Sequence, residues 1–432
     1  GMALAERYDR SRRIHPMVPK ARRGPRWGRP PWILLFTQPR SPDSVGTMRS
    51  KMRNIAGIPL TSWVLPTTLG FALIVVTSCV PDPAVPQAQS LAMSLSFGES
   101  CAVLPAGNVR CWGTNDLGEL GNGSTISSSN PVSVLGIADA TRIATSYRHT
   151  CVVRSSGNVS CWGNNGQGQL GNGTTTNSST PVDVSGLTGA SDVAAGVSFH
   201  CAVTAGLVRC WGSNDFGQLG DGTNVGSTTP VTVLGIANAT QVAAGDSHAC
   251  AVLADRTVKC WGQGRVGQLS DDQLADSNSP VAVNGIAGAV TVTAGATHSC
   301  ALLADSTVRC WGQRAYGLLG NNFGPAGGAV TGITTAVQIA AGSYNTCAVL
   351  SDGQVRCWGQ RITETRSNEA NWTSVPVQVG GISGATSVAL GFGHACAVID
   401  GASIYCWGVN SDGQLGNGTT TSSTSPGPVI GL

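Results

Sequence analysis

The sequence predicts an all-β protein, a seven-bladed β-propeller of four-stranded blades with one disulfide-linked hairpin in each blade. Three observations carry that prediction. The stretch from Cys250 to Gly262, CAVLADRTVKCWG, recurs seven times at a spacing of about fifty residues. Every copy reads as two short strands about a tight turn, and each period holds four candidate strands. A four-stranded unit of this size cannot close a core alone, so neighbours must stack, and seven in a row close into a ring.

Composition agrees with this class. The 432 residues include 58 glycines and are 41% hydrophobic but only 11% charged, which suits a turn-rich globular β protein rather than a disordered or coiled-coil one. The formal charge of +3 hides a division along the chain. Residues 1–53 carry 13 Lys and Arg against 3 acids, a balance of +10, whereas residues 80–432 carry 13 against 20, a balance of −7. The repeats therefore lack the basic cluster that a phosphate backbone requires, and no nucleic acid is expected as a partner.

Residues 1–47 are rich in Arg and Pro, with no sustained apolar period, and are expected to form a disordered basic leader. Met48 opens a better N-terminus, so this leader need not be translated. From Met48 the chain reads MRSKMR, then carries no charge from Asn54 to Cys79 and has an apolar run from Gly70 to Val76. A basic segment, an apolar segment and small residues before a cut describe a secretory signal peptide over residues 48–78. A membrane span is the rival, but Pro59, Pro66 and Gly70 interrupt the stretch and no basic stop-transfer cluster follows.

The segment ends Val76-Thr77-Ser78-Cys79, which resembles the lipobox of bacterial lipoproteins, and this resemblance implies a diacylated Cys79 at a bacterial membrane. Cysteine arithmetic strengthens it. Seven pairs account for 14 of the 15 cysteines, and the one left over is Cys79. Residues 79–89 then form a Pro-rich tether that holds the rest of the chain away from the membrane.

The repeat region, residues 90–432, has repeats starting near 90, 141, 191, 240, 290, 337 and 386. Its cysteines pair as Cys101 with Cys111, Cys151 with Cys161, Cys201 with Cys210, Cys250 with Cys260, Cys300 with Cys310, Cys347 with Cys357, and Cys396 with Cys406. Folding each hairpin about its turn sets the two cysteines across from one another, within disulfide reach. The third pair tests this register, because it is one residue closer and the missing residue falls in the turn, where Ala205-Gly206 can make a two-residue loop. Structural zinc is the alternative, but it wants four ligands, and each hairpin offers two thiols followed by Trp. One strand near Ser90–Ser96 and one ending at Ile430 are left to complete the ring, which leaves open whether closure mixes the termini.

A second motif lies between the third and fourth strands, at Asn115–Gly123, Asn164–Gly173, Asn214–Gly222 and Asn410–Gly418. Together with a strand ending Ala-Ala-Gly, a His before the second strand and C-W-G-x-N, it resembles the repeat of the regulator of chromosome condensation family. That resemblance implies a seven-bladed propeller over residues 90–432; WD and kelch repeats carry different signatures. Gly118, Gly121 and Gly123 are expected at φ > 0 in a tight loop, and Leu120, Leu170, Leu219 and Leu415 are expected to plug it onto the blade. The repeated Trp is expected to pack between blades rather than to bind a ligand.

His149, His248, His298 and His394 stand two residues before the first cysteine of their repeats, with Glu99, Phe199 and Asn345 at equivalent positions and His200 shifted by one. A ring of imidazoles could bind metal, but a position that tolerates Phe and Asn and recurs once per blade reads as structural. No carboxylate pair departs from the repeat symmetry, and no nucleophile motif, phosphate loop, cofactor fingerprint or metal-ligand helix is present, so neither catalysis nor a cofactor is expected.

Function is expected where the repeat breaks. The fifth copy loses its loop motif at Asn321–Gly328, and the sixth replaces it with Arg361 to Trp372, which gathers Arg361, Arg366 and Trp372, residue types enriched at binding hot spots; drifted, solvated loops are the plainer alternative. The expected function is therefore an exported, lipid-anchored propeller that binds another protein at the cell surface or periplasmic face. The family resemblance implies a second reading, guanine-nucleotide exchange on a Ran-type GTPase, though no exchange residue transfers. A third is an enzyme with its site in the central channel.

Overall fold

The computed structural model describes residues 91–93, 98–269, 274–322, 327–362, 372–401 and 403–432. The basic leader, the signal peptide, Cys79 and the tether lie outside the described residues, as does Arg366. The propeller falls within the second of two units, Val80–Leu432.

Each blade is an antiparallel meander whose strands neighbour one another in chain order. The first is built from Leu91–Met93, Glu99–Val103, Val109–Gly113 and Ser128–Ser133, the fourth from Ala239–Ala244, His248–Leu253, Val258–Gly262 and Ser277–Ala282. The last is Ala385–Leu390, His394–Ile399, Ser403–Gly408 and Ser423–Pro428. First strands touch the first strands of both neighbours, and that of blade 7 touches that of blade 1, so the ring is closed around them. Closure does not mix the termini, because each blade is complete within its own repeat.

The hairpin at the centre of each blade keeps the register that the cysteine spacing implies. In blade 4, Leu253 N–H donates to Thr257 O at 2.9 Å, and antiparallel alternation then places the Cys250–Cys260 pair at a non-hydrogen-bonded site, where strands approach most closely. All seven pairs are disulfides, with Cα atoms 4.0 or 4.1 Å apart. In blade 3, Thr204 pairs with Leu207 about a two-residue turn in which Ala205 and Gly206 have φ of 49° and 80°, the signs a type I′ turn requires. The shortened loop leaves Cys201 opposite Cys210.

Hydrophobic cores lie between blades rather than within them. One cluster joins Phe199, Val203 and Leu219 of blade 3 to Val242, Leu253 and Trp261 of blade 4. Another closes the ring, joining Cys396, Val398 and Leu415 of blade 7 to Ala102 and Trp112 of blade 1. A buried Trp removes about 200 Å² from water, roughly 5 kcal/mol of gross driving force each, which makes these seven indoles the main adhesive between blades. The loop leucines Leu120, Leu170, Leu219 and Leu415 are buried beside them.

The glycine after each Trp has its own reason. Gly262 has φ of 99° at a bulge between the third and fourth strands, and a Cβ there would meet Ser247 O at 2.6 Å, so no other residue fits. Blade 5 departs from the pattern. Among the described residues its fourth strand is reduced to one bridge, Arg309 to Ala329, where the sequence has lost the Pro-Val strand of its siblings. No helix of the described residues is long and apolar enough to cross a membrane.

Candidate functional site

Strand direction alternates through each blade, so the loops joining first to second and third to fourth strands emerge on one face. The hairpin turns and blade-to-blade connections emerge on the other. Tyr147, Phe216, Tyr316, Tyr344 and Phe392 all lie in loops of the first face, and Trp372 opens a fourth strand at the same end. Of the remaining aromatics outside the Trp-Gly pairs, Phe199 is buried and Tyr405 lies within a strand. The opposite face carries no aromatic among the described residues.

The loop between third and fourth strands is organised from within by one asparagine. Asn115 Oδ1 accepts from Leu120 N–H at 2.9 Å, while its Nδ2 donates to Ser124 O and Ile126 O at 3.1 and 3.0 Å. Asn165, Asn214 and Asn410 repeat this arrangement. A saturated asparagine of this kind gives a rigid platform on which exposed side chains can be displayed. Gly118, Gly121 and Gly123 take positive φ there.

The histidines belong to the joints between blades. His248 Nε2 lies 2.8 Å from Ser299 Oγ of the next blade, and His298 Nε2 lies 2.7 Å from Thr346 Oγ1. His394 Nε2 makes the equivalent bond to Ser100 Oγ at 3.0 Å across the closing joint. Ser100 Oγ in turn donates to Gln414 O, the carbonyl that also accepts the Trp112 indole. Where the first partner is Phe199 the second is Ala249, and where it is Asn345 the second is Ala395, so the two positions change together. His200 stands at the serine position and uses Nδ1 on Gln169 O at 3.0 Å, which accounts for its one-residue shift. Burial pushes the imidazoles down, His149 and His298 to about 4 and His248 to about 3, and keeps them neutral.

Two carboxylates that break the repeat symmetry, Glu99 and Glu119, are buried in the same layer. Glu99, at the histidine position of the first repeat, is fully buried, and burial first and the charge of Glu119 second push it well up. Glu119 replaces the glutamine of the loop motif; its Oε2 accepts from Leu117 N–H at 2.7 Å, and its Oε1 lies 4.0 Å from Arg148 Nε. The expectation that no carboxylates break the symmetry is thus corrected. The signal was present as two acids at His and Gln positions, but their burial depends on how the loop folds over the strand. Neither reaches solvent, so the pair has no access to a substrate.

Around the axis, three polar side chains of the first strands bond to neighbouring blades. Asp192 Oδ2 accepts from Val242 N–H at 3.0 Å, and Gln241 bonds both backbone groups of Val292, at 2.9 and 3.0 Å. Gln338 does the same to Val388 at 3.1 Å for each bond. These bonds recur at one strand position in blades 3, 4 and 6.

The mouth of the ring on the loop face is asymmetric. Tyr344 stands between Tyr316 and Phe392, with ring centroids 6.4 and 6.3 Å away. Burial first and the charge of Asp246 second push the Tyr344 hydroxyl up. On the far side, Arg148 reaches Asp116 at 3.6 Å and lies 5.8 Å from the centre of the Tyr147 ring. Arg361 is exposed just past the third strand of blade 6 and lines a cavity of about 350 Å³ with Trp358, Ile362 and Trp407. Trp372 is 36% exposed and pairs with Gln360. Arg361 and Trp372 thus share the loop face, whereas Asp246, Tyr316, Tyr344 and Phe392 were not singled out by the repeat pattern.

A family model described as the RCC1-like domain matches residues 108–431. Human WBSCR16 is similar in structure, with a TM-score of 0.67 at 20% identity, covering 75% of this chain and 95% of that one. Prp20p from Saccharomyces cerevisiae, whose structure was described with its binding properties to Gsp1p and histones, gives 0.63 at 22% identity over 80% of this chain and 88% of its own. Yeast RCC1 (Prp20) bound by Kap60 gives 0.64 at 21% identity, covering 80% and 84%. At these identities the likeness is one of fold. No curated protein matches the chain in sequence.

Proposed function

The chain belongs to the RCC1-like domain family, and from that premise we propose that it is an exported, lipid-anchored module that binds another protein through its loop face. The observation that carries the reading is the confinement of exposed aromatics to one face, beside Arg148, Arg265 and Arg361. Aromatic and Arg side chains dominate binding energy in protein interfaces, and a scaffold of cross-braced blades holds them in fixed places at low entropic cost. Arg361, Arg366 and Trp372, from the broken sixth repeat, are proposed contacts. Prp20p, of the same fold, was described binding Gsp1p and histones, which supports a protein as the class of partner.

Seven disulfides belong to an oxidising compartment, and they oppose the exchange-factor reading, which needs a cytosolic or nuclear GTPase. Each closes a short loop, for about 2–3 kcal/mol on the chain-entropy account. Export followed by diacylation of Cys79 at a bacterial membrane is proposed on the one cysteine that the seven pairs leave over.

Two measurements test this. A photo-crosslinking residue placed at Tyr316 or Trp372 in the native host is expected to trap a discrete partner, while the same residue at Asp352 on the opposite face is not; equal yields from both faces would refute the face assignment. Intact mass is expected to give a lipidated N-terminus at Cys79 with 14 thiols appearing only on reduction. Free thiols before reduction would overturn export.

A further inference from the structure

We infer that the Cys347–Cys357 disulfide of blade 6 is a thiol-exchange site, attacked at Cys357 Sγ by an external thiolate while the other six bridges stay closed. This goes beyond the proposed function and does not depend on it.

The inference starts from exposure. Thirteen of the fourteen bridged cysteines are at most 1% exposed, whereas Cys357 is only partly buried. The repeat explains the difference. In six blades a leucine nine residues after the second cysteine packs in the same cluster as that cysteine, as Leu219 does with Cys210 and Leu415 with Cys406. The sixth repeat carries Arg366 at that count, and the apolar side chain of its loop that joins the cluster is Ile362, itself only partly buried. The sulfur of Cys357 thus lacks the cover that its six counterparts have.

The second observation is a cavity. About 350 Å³ stands open at the joint of blades 6 and 7, with Cys357 in its wall beside Arg361, Ile362, Thr373 and Trp407. Among the described residues no acid lines it, so the guanidinium of Arg361 favours an anionic thiolate there. Access to the sulfur decides which of several disulfides exchanges. The incoming sulfur bonds to Cys357 Sγ, the S–S bond breaks, and its electron pair leaves on Cys347, which then takes a proton from water. The product is a mixed disulfide at Cys357, formed without any oxidant. Cys347 and Cys357 face each other with Cα atoms 4.1 Å apart, so Cys347 can expel the bound thiol and restore the bridge.

The test is a short pulse of reduced glutathione on the purified, folded protein, quenched with N-ethylmaleimide and read by mass mapping of its peptides. Glutathione is expected on Cys357 and maleimide on Cys347, with this pair opening at least about ten times faster than any other. A glutathione adduct on Cys347 instead, no adduct on either cysteine, or another pair opening as fast overturns the inference. So does the opening of all seven pairs together, which reports unfolding rather than access. A second arm replaces glutathione with reduced thioredoxin. Exchange with glutathione alone identifies a small thiol as the reagent, and exchange with both admits a thiol carried by a protein. The crosslinking that tests the loop face is read separately, so either reading can fail without the other.

Discussion

The indole Nε1–H of Trp112 donates to Gln414 O at 2.8 Å, joining residues 302 apart in sequence and closing the ring. The same bond recurs from each described loop to the next blade, as from Trp162 to Glu119 O at 2.7 Å and from Trp261 to Gln218 O at 2.9 Å. At the closing joint no covalent connection passes between blades, so non-covalent contacts hold it, among them the backbone bond from Gly418 N–H to Ser129 O at 3.0 Å.

Trp112→Phe keeps most of the buried ring but removes the donor. It is expected to cost about 1–3 kcal/mol and to speed amide exchange in blades 1 and 7 ahead of the rest. A urea midpoint equal to that of the unaltered protein would show that the hydrogen bond does not hold the joint.

The histidine joints predict an acid limb. The folded-state values of His248, His298 and His149 lie at about 3 to 4, below the unfolded value near 6.5, so their contribution is full above about pH 6.5 and is lost as pH falls through the folded values. His248→Phe alone removes the 2.8 Å bond to Ser299 Oγ, which keeps its bond to Gln268 O at 3.3 Å, and is expected to destabilise by about 1 kcal/mol. His248→Phe with Ser299→Ala copies the native Phe199 and Ala249 joint, and is expected to recover most of that loss and to shallow the acid limb. A double variant no better than the single one refutes the pairing.

Glu99 acts in the opposite sense. Its folded pKa is raised by burial and by Glu119, so it stabilises below the unfolded carboxylate value and that contribution is lost as pH rises through the folded value. Glu99→Gln is expected to be more stable than the unaltered protein at pH 8 and to converge with it toward pH 4. Parallel stability curves over that range would contradict a raised carboxyl.

Arg256 occupies the third turn position of its hairpin with φ of 64°, a conformation that glycine adopts at the equivalent Gly107. Arg256→Gly removes a left-handed strain of about 1–2 kcal/mol and adds about 0.5–1 kcal/mol of unfolded-state entropy. The net expectation is a gain of up to about 1 kcal/mol, read as a rise in denaturation midpoint; a fall would mean that the Arg256 side chain is holding the turn.

Local chemistry was legible in the sequence. Cys201 and Cys210, one residue closer than their counterparts, specified both the disulfide and the two-residue turn, because register in a hairpin is a matter of counting. The histidine position was legible as a repeat but not as a joint, since the partner of His298 is Thr346 in the following repeat. Nothing in the spacing marks Tyr316, Tyr344 and Phe392 as neighbours.

By itself the sequence determined the number of blades, the strand register, the cysteine pairing and the loops whose glycines need positive φ, all consequences of contacts within one period. Tertiary structure alone decided which carbonyl each Trp reaches, that Glu99 and Glu119 are both buried, that the ring closes without a shared sheet, and that the aromatics gather on one face. The reason is physical. Contacts inside a hairpin follow from backbone hydrogen-bond geometry over a few residues, whereas contacts between blades exist only once the ring has brought distant repeats to the same axis.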